Sequence, residues 1–265
     1  MTLGRIRWAP AALLAVALVT AGCDLMVATV TPEPSRLSRT PEPLPTVQPE
    51  PSDEGPTPRP EGSGPDLVDA ANALADLDSY RVAVTSTGLV PSTGSDGLVR
   101  MSSTLVQGEE PAVRFSIAGL DGIPGGSLEA IVIGDAAWVR DGAGRWSKSP
   151  GGAADFDAAF TALSPTDLAT EFDGLAAGLQ AAGSGTRNGI AARHYRIDSS
   201  SPGAAAAGLS TGSADVWLAT RGSFLVAFDL DGSWDVDGDG TPTPVTLRID
   251  VSRVNDRANV VRRPG

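Results

Sequence analysis

Residues Glu129–Pro150 read EAIVIGDAAWVRDGAGRWSKSP. Gly134-Asp135, set between two apolar runs, is a two-residue hairpin loop, and a loop of that length fixes strand register. Counting outward from it places Ile133 opposite Ala136, Val132 opposite Ala137, Ile131 opposite Trp138 and Glu129 opposite Arg140. One face then carries Ile131, Ile133 and Trp138 and ends in the Glu129–Arg140 pair. The other carries Ala130, Val132 and Val139. Asp141–Gly144 supplies the next turn and returns Trp146 along the sheet. Both faces are mostly apolar, which suits a strand covered on one side and lining something on the other. Paired Trp and Ile across a hairpin are nevertheless more often core than ligand wall.

The same two-residue period runs outward from the hairpin. Tyr80, Val82 and Val84 alternate with Arg81, Ala83 and Thr85; Val113, Phe115 and Ile117 alternate with Arg114, Ser116 and Ala118. This is the pattern of half-buried strands. GLVRMSSTLVQG (97–108) is a weaker strand, and further strands are expected at Ile190–Asp198, Ala214–Thr220, Ser223–Trp234 and Pro244–Asn255. Two helices interrupt them. The first follows Pro65, with Asp66 and Asp69 in its first turn and Leu67, Ala71, Leu74 and Leu77 on one stripe. The second has Ser164 as cap, Pro165 at the first position, Asp167 in a box-like start, Leu168, Phe172, Leu175 and Leu179 on one face, and Gly183 as its end. Asp155–Phe160 adds a short helix before it. Most strand connections are too short for crossovers, so the fold class is α+β with an antiparallel sheet. A curved sheet wrapped partly around two or three helices buries its apolar face most economically.

The chain has 265 residues, formal charge −12, one cysteine and one histidine. That excludes a disulfide framework and the usual Cys/His zinc sites. It also removes most nucleophile–histidine arrangements. The acidic balance, with no basic stripe apparent, argues against a nucleic-acid partner. Residues 1–22 are a leader: Arg5 and Arg7 precede the apolar run APAALLAVALV, too short for a comfortable membrane span. Ala21 and Gly22 directly before Cys23 resemble the bacterial lipobox, although Thr20 stands where leucine is commoner. The resemblance implies cleavage before Cys23 and a diacylglyceryl group on its thiol. Anchoring then takes two or three acyl chains, because one is insufficient. Residues 23–64 are Pro-rich with Glu, Ser and Thr, too poor in apolar surface to fold, and form a tether. At about 3.1 Å per residue in an extended form, roughly forty residues reach on the order of 100 Å. The folded domain is expected over 65–260.

The lipobox, the Pro-rich spacer, LADLDSYRVAVTS, the hairpin stretch, GTRNGIAARHYRID, ADVWLATRGSFLVAFDL and VTLRIDVSRVND together resemble the LppX/LprG-type bacterial lipoproteins, which share a LolA/LolB-like half-barrel. Gly144, Trp146 and Pro150 match that family's turn after the hairpin, and Gly189 and Tyr195 its strand after the central helix. The resemblance covers residues 65–260. It implies helices on the concave side of a curved sheet, an apolar cavity for the acyl chains of lipids or lipoglycans, and no catalytic residues.

The expected function is a membrane-anchored, extracytoplasmic lipid-binding lipoprotein, non-enzymatic and lacking a required cofactor. Candidate lining residues are Phe115, Ile131, Ile133, Trp138 and Phe172. DVDGDG offers Asp235, Asp237 and Asp239 at the alternating spacing of a calcium loop, but position twelve is Thr246, not a bidentate glutamate. An acidic turn joining two strands is the simpler reading. A calcium-stabilised adhesion or scaffold module is the alternative function. His194, on the polar side of its strand with Arg196, is expected to be exposed and not catalytic. STGSADVW and SSSPGAAAAGLSTGS read as flexible connections. Arg187 and Arg193 at the sheet rim are candidates to meet an anionic headgroup. The protein partner and the ligand's identity stay open.

Overall fold

The computed structural model describes residues 65–88, 97–119, 126–156, 173–201, 203–205, 208–234 and 241–265. The leader, the tether, Cys23, Phe172, Asp235, Asp237, Asp239 and the expected cap at Ser164–Asp167 lie outside these residues. The described strands are β1 (Ser79–Thr87), β2 (Leu98–Val106), β3 (Ala112–Ala118), β4 (Ser127–Ile133), β5 (Ala136–Asp141) and β6 (Ser147–Lys148). They continue with β7 (Gln180–Arg187), β8 (Ile190–Asp198), β9 (Leu209–Ala219), β10 (Leu225–Trp234) and β11 (Thr243–Ser252).

All belong to one curved, open antiparallel sheet of spatial order β6-β5-β4-β3-β2-β1-β11-β10-β9-β8-β7. Strands β1 to β6 form one meander and β7 to β11 a second. The seam pairs the first strand with the last, Val82 opposite Val251 and Val84 opposite Ile249. Antiparallel pairing within each meander follows from the short connections.

One face, here the inner face, carries the main core. Tyr80, Val82 and Val84 of β1 join Leu247, Ile249 and Val251 of β11, Phe228 and Leu230 of β10, and Ala214 and Val216 of β9. Helix α1 (Leu67–Asn72) adds Leu67, Ala70 and Ala71 to this cluster. Its N-cap is Asp66, whose carboxylate accepts from the Asp69 amide at 2.9 Å. The expected stripe is therefore helical only as far as Asn72. A 3-10 turn, Ala73–Asp76, completes it and still delivers Leu74 to the core.

The second helix is described only as α2 (Asp173–Ala176). Gly183 does not end it. The Gly178 amide donates to Leu175 and the Leu179 amide to Ala176, which closes the helix earlier. Gly183 lies in β7 at φ 122°, where the register with β8 shifts. Of the short helix expected at Asp155–Phe160 only Asp155 and Phe156 are described, and they end a 3-10 turn, Gly152–Phe156. The serine- and glycine-rich run read as flexible contains the first half of β9. Leu209 is fully buried and anchors it. Among the described residues no helix is long and apolar enough to cross a membrane.

Candidate functional site

The hairpin register is the one counted from its loop: Ile133–Ala136, Val132–Ala137, Ile131–Trp138 and Glu129–Arg140 are all cross-strand partners. Gly134 takes φ 53°, the conformation such a loop requires. The neighbouring pairings decide which face is which. Phe115 faces Ala130, and Ile131 faces Arg114. Ile131, Ile133 and Trp138 therefore project to the side opposite Phe115. The expected lining residues do not form one wall, because the two-residue period separates them.

On the inner face, Met101 lies between Val84 and Ile117, and Phe115 between Ser103 and Ala130. Phe115, Ala130, Val132, Ala137 and Phe156 make a cluster separate from the main core. Phe156, from the 3-10 turn, meets Phe115 edge-on at 6.0 Å between ring centres. Ile117 is buried beside this cluster on the same face. The inner side of β3 to β5 is thus largely apolar and the 3-10 turn packs on it, whereas Met101 of β2 belongs to the main core. Phe115 and Ile117 are both buried on this face.

On the outer face, Ile131, Ile133 and Ala112 pack with Val106, Trp138, Trp146 and Val261. The cover is the C-terminal segment after β11. The Asn255 amide donates to the Ser79 carbonyl, and the Ser79 amide donates back to Asn255 Oδ1. Asn259 is buried and ties the segment down. Its Nδ2 donates to Ser79 Oγ and to the Arg253 carbonyl, and its Oδ1 accepts from Arg81 Nε at 3.0 Å. Beyond it, Arg263 lies 5.8 Å above the Trp138 ring and 3.7 Å from Glu110. Arg140 sits over Trp146 at 4.7 Å and donates to Glu129 at 2.7 Å. This strap is the feature the sequence reading missed. Its only signal was SRVNDRANVVRRPG, too polar to read as a covering element.

The outer side of the second meander is polar and internally paired. His194 is half-buried, stacked on Trp217 at 4.1 Å and hydrogen-bonded to Asp215 at 2.7 Å. It was expected to be exposed; the difference arises because Trp217 of the adjacent strand β9 faces His194 in register and covers its ring. Arg187 donates to Asp229 and Asp250, so its charge is already engaged. Arg193 is exposed. Arg248 donates to Asp229 at 2.7 Å, and that bond and charge raise its pKa. Among the described residues no group of three His, Cys, Asp or Glu is placed to hold a metal ion.

No protein-family model matches the chain, and no curated protein does. Among solved structures it is similar to the Mycobacterium tuberculosis lipoprotein LppX at 20% identity, with a TM-score of 0.39, over 74% of this chain and 96% of that one. It is also similar to LprF from Mycobacterium bovis at 15% identity and a TM-score of 0.43, over 77% and 99%. A LolA superfamily protein from Nitrosomonas europaea follows at 10% identity and a TM-score of 0.24, over 75% and 93%. These superpositions are loose, and the architecture rests on the strand pairing above. The solved structures to which this chain is similar are thus two mycobacterial lipoproteins and a LolA superfamily protein.

Proposed function

We propose that this chain is an envelope lipoprotein, held on the extracytoplasmic side of a bacterial cell membrane through acylated Cys23, that shelters the acyl chains of a lipid or lipoglycan against its inner face. The reading is non-enzymatic. Residues 1–22 act as the leader, 23–64 as the tether and 65–260 as the binding domain. The observation that carries it is the split inner face: a main core under α1 and a separate apolar cluster around Phe115. Acyl chains packed between the two clusters gain roughly 0.8 kcal/mol per buried CH₂. Phe115, Ile117 and Val132 are the described residues assigned to the wall; Phe172, also expected there, lies outside the described residues. Ile131, Ile133 and Trp138 belong instead to the surface beneath the strap.

Lipid extraction from full-length protein purified out of bacterial membranes, read by mass spectrometry, tests the proposal. Stoichiometric lipid beyond the Cys23 modification is expected. Ile117→Glu, with an unchanged far-ultraviolet spectrum, is expected to lose it. Wild-type protein that carries no lipid and takes up none from vesicles overturns the reading.

A further inference from the structure

The chain is acidic as a whole, yet one part of its surface carries a surplus of basic residues. On the outer face of β1 to β6 the register places Arg81, Arg100, Arg114, Arg140 and Lys148 against one acidic side chain, Glu129. The strap crosses the same face and adds Arg253, Arg257, Arg262 and Arg263 against Asp256. Some of this charge is spent internally. Glu129 takes Arg114 and Arg140, Asp256 takes Arg253, and Glu110 meets Arg263 at 3.7 Å. Arg81, Arg100, Arg257 and Arg262 stay exposed.

Among these arginines stands Val260. It is 53% exposed, the one large apolar side chain so exposed among the described residues. Its neighbours account for its position. Asn259 is buried in the Ser79–Arg81 network, and Val261 packs on the Ile131–Trp138 patch. Held on both sides, the strap has to present Val260 outward. An exposed apolar tip flanked in the strap by the exposed Arg257 and Arg262, on an acidic protein, fits an anionic bilayer surface, where phosphates meet the arginines and the tip enters the headgroup layer.

The geometry points to this outer face as a second membrane contact: the strap docks Val260, Arg257 and Arg262 onto anionic lipid headgroups and sets how the domain lies on the membrane. The inference does not depend on any lipid held by the inner face. It rests on the Cys23 anchor only for delivery to a membrane. Acidic surfaces elsewhere would be repelled by the same headgroups, so the docked orientation is singled out by charge of both signs.

The test uses the full chain with a polarity-sensitive fluorophore on Val260→Cys, and a second label on Ser184→Cys in the distant strand β7. The unsubstituted chain reports any labelling of Cys23. Vesicles are pure phosphatidylcholine or phosphatidylcholine mixed with phosphatidylglycerol, and flotation is read beside emission. The expected result is a blue shift at position 260 on the anionic vesicles alone. It should be lost in high salt and in Arg257→Glu/Arg262→Glu, with position 184 unmoved throughout. Flotation on both vesicles with that shift supports anchor and face together. Flotation and shift on anionic vesicles alone support the face and overturn the anchor. No shift at position 260 on anionic vesicles, or an equal shift on both compositions, overturns the inference, whatever the flotation.

Discussion

Glu129 is held between two guanidinium groups, Arg140 at 2.7 Å and Arg114 at 3.0 Å. Burial pushes its carboxyl up, but the hydrogen bonds and charges of Arg140 and then Arg114 outweigh that and hold it below the usual carboxylate range. A carboxyl lowered by folding stabilises above its unfolded pKa, and the gain is lost as pH falls through the folded one. Glu129→Gln should therefore cost up to about 1 kcal/mol at neutral pH, the scale of a solvent-screened ion pair. Urea midpoints of the two proteins should converge on acidification below the ordinary carboxylate range; a gap that widens there would contradict the assignment. Asn259 is a stronger case because it is buried. Its amide serves Ser79, Arg253 and Arg81 at once. Asn259→Ala strands those partners, and about 1–3 kcal/mol of lost stability is expected from equilibrium unfolding.

Among the elements, β9 and β10 pair through two glycines that face each other, Gly212 and Gly232. Gly212 takes φ 89°, and a Cβ on it would be driven into the Asp231 carbonyl. A Cβ on Gly232 would meet the Thr211 carbonyl in the same way. Both clashes are with backbone, which cannot swing aside as a side chain can. Gly212→Ala should lower the melting temperature sharply or abolish soluble expression, while Gly189→Ala, with open space around its Cβ, should cost only its turn strain. Differential scanning calorimetry of the two separates packing from backbone conformation. The same strands mark where sequence reading worked and where it failed. β1 and β3 were legible because each alternates apolar and polar residues against a buried face, and the β4–β5 hairpin because its two-residue loop fixes the register. β7 was not, since Gln180–Thr186 is exposed along its length and offers no apolar period. Leu209–Ser213 was hidden by its small residues, needed where β9 meets β10. The wall of the candidate site was half legible. Parity grouped Ile131, Ile133 and Trp138 correctly, but which face that group joined depended on β3 pairing with β4.

At the scale of the molecule, two meanders meet along one seam, and the seam joins residues from opposite ends of the domain. Forming it closes a long loop, an entropic cost that local hairpins avoid. The strap reinforces this seam from outside: Asn255 and Asn259 both bond to Ser79, and Val261 covers the patch beyond. Contacts that depend on both meanders being in place form after the barrier, so removing them should act on unfolding more than on folding. Ending the chain after Ala258 deletes Asn259 and Val261 together. On the order of 2–4 kcal/mol should be lost, from one buried polar network and one half-buried valine. Ending it after Val261 instead deletes Arg262–Gly265 and keeps both, so stability should stay near that of the whole chain. Stopped-flow measurements in urea should show the shorter protein unfolding faster with its refolding rate little changed. Its Trp138 emission should move to longer wavelength as the patch meets water. An equal loss in both truncations would place the stabilisation in the terminal arginines; a slowed refolding rate would place the strap in the folding nucleus rather than on the finished sheet.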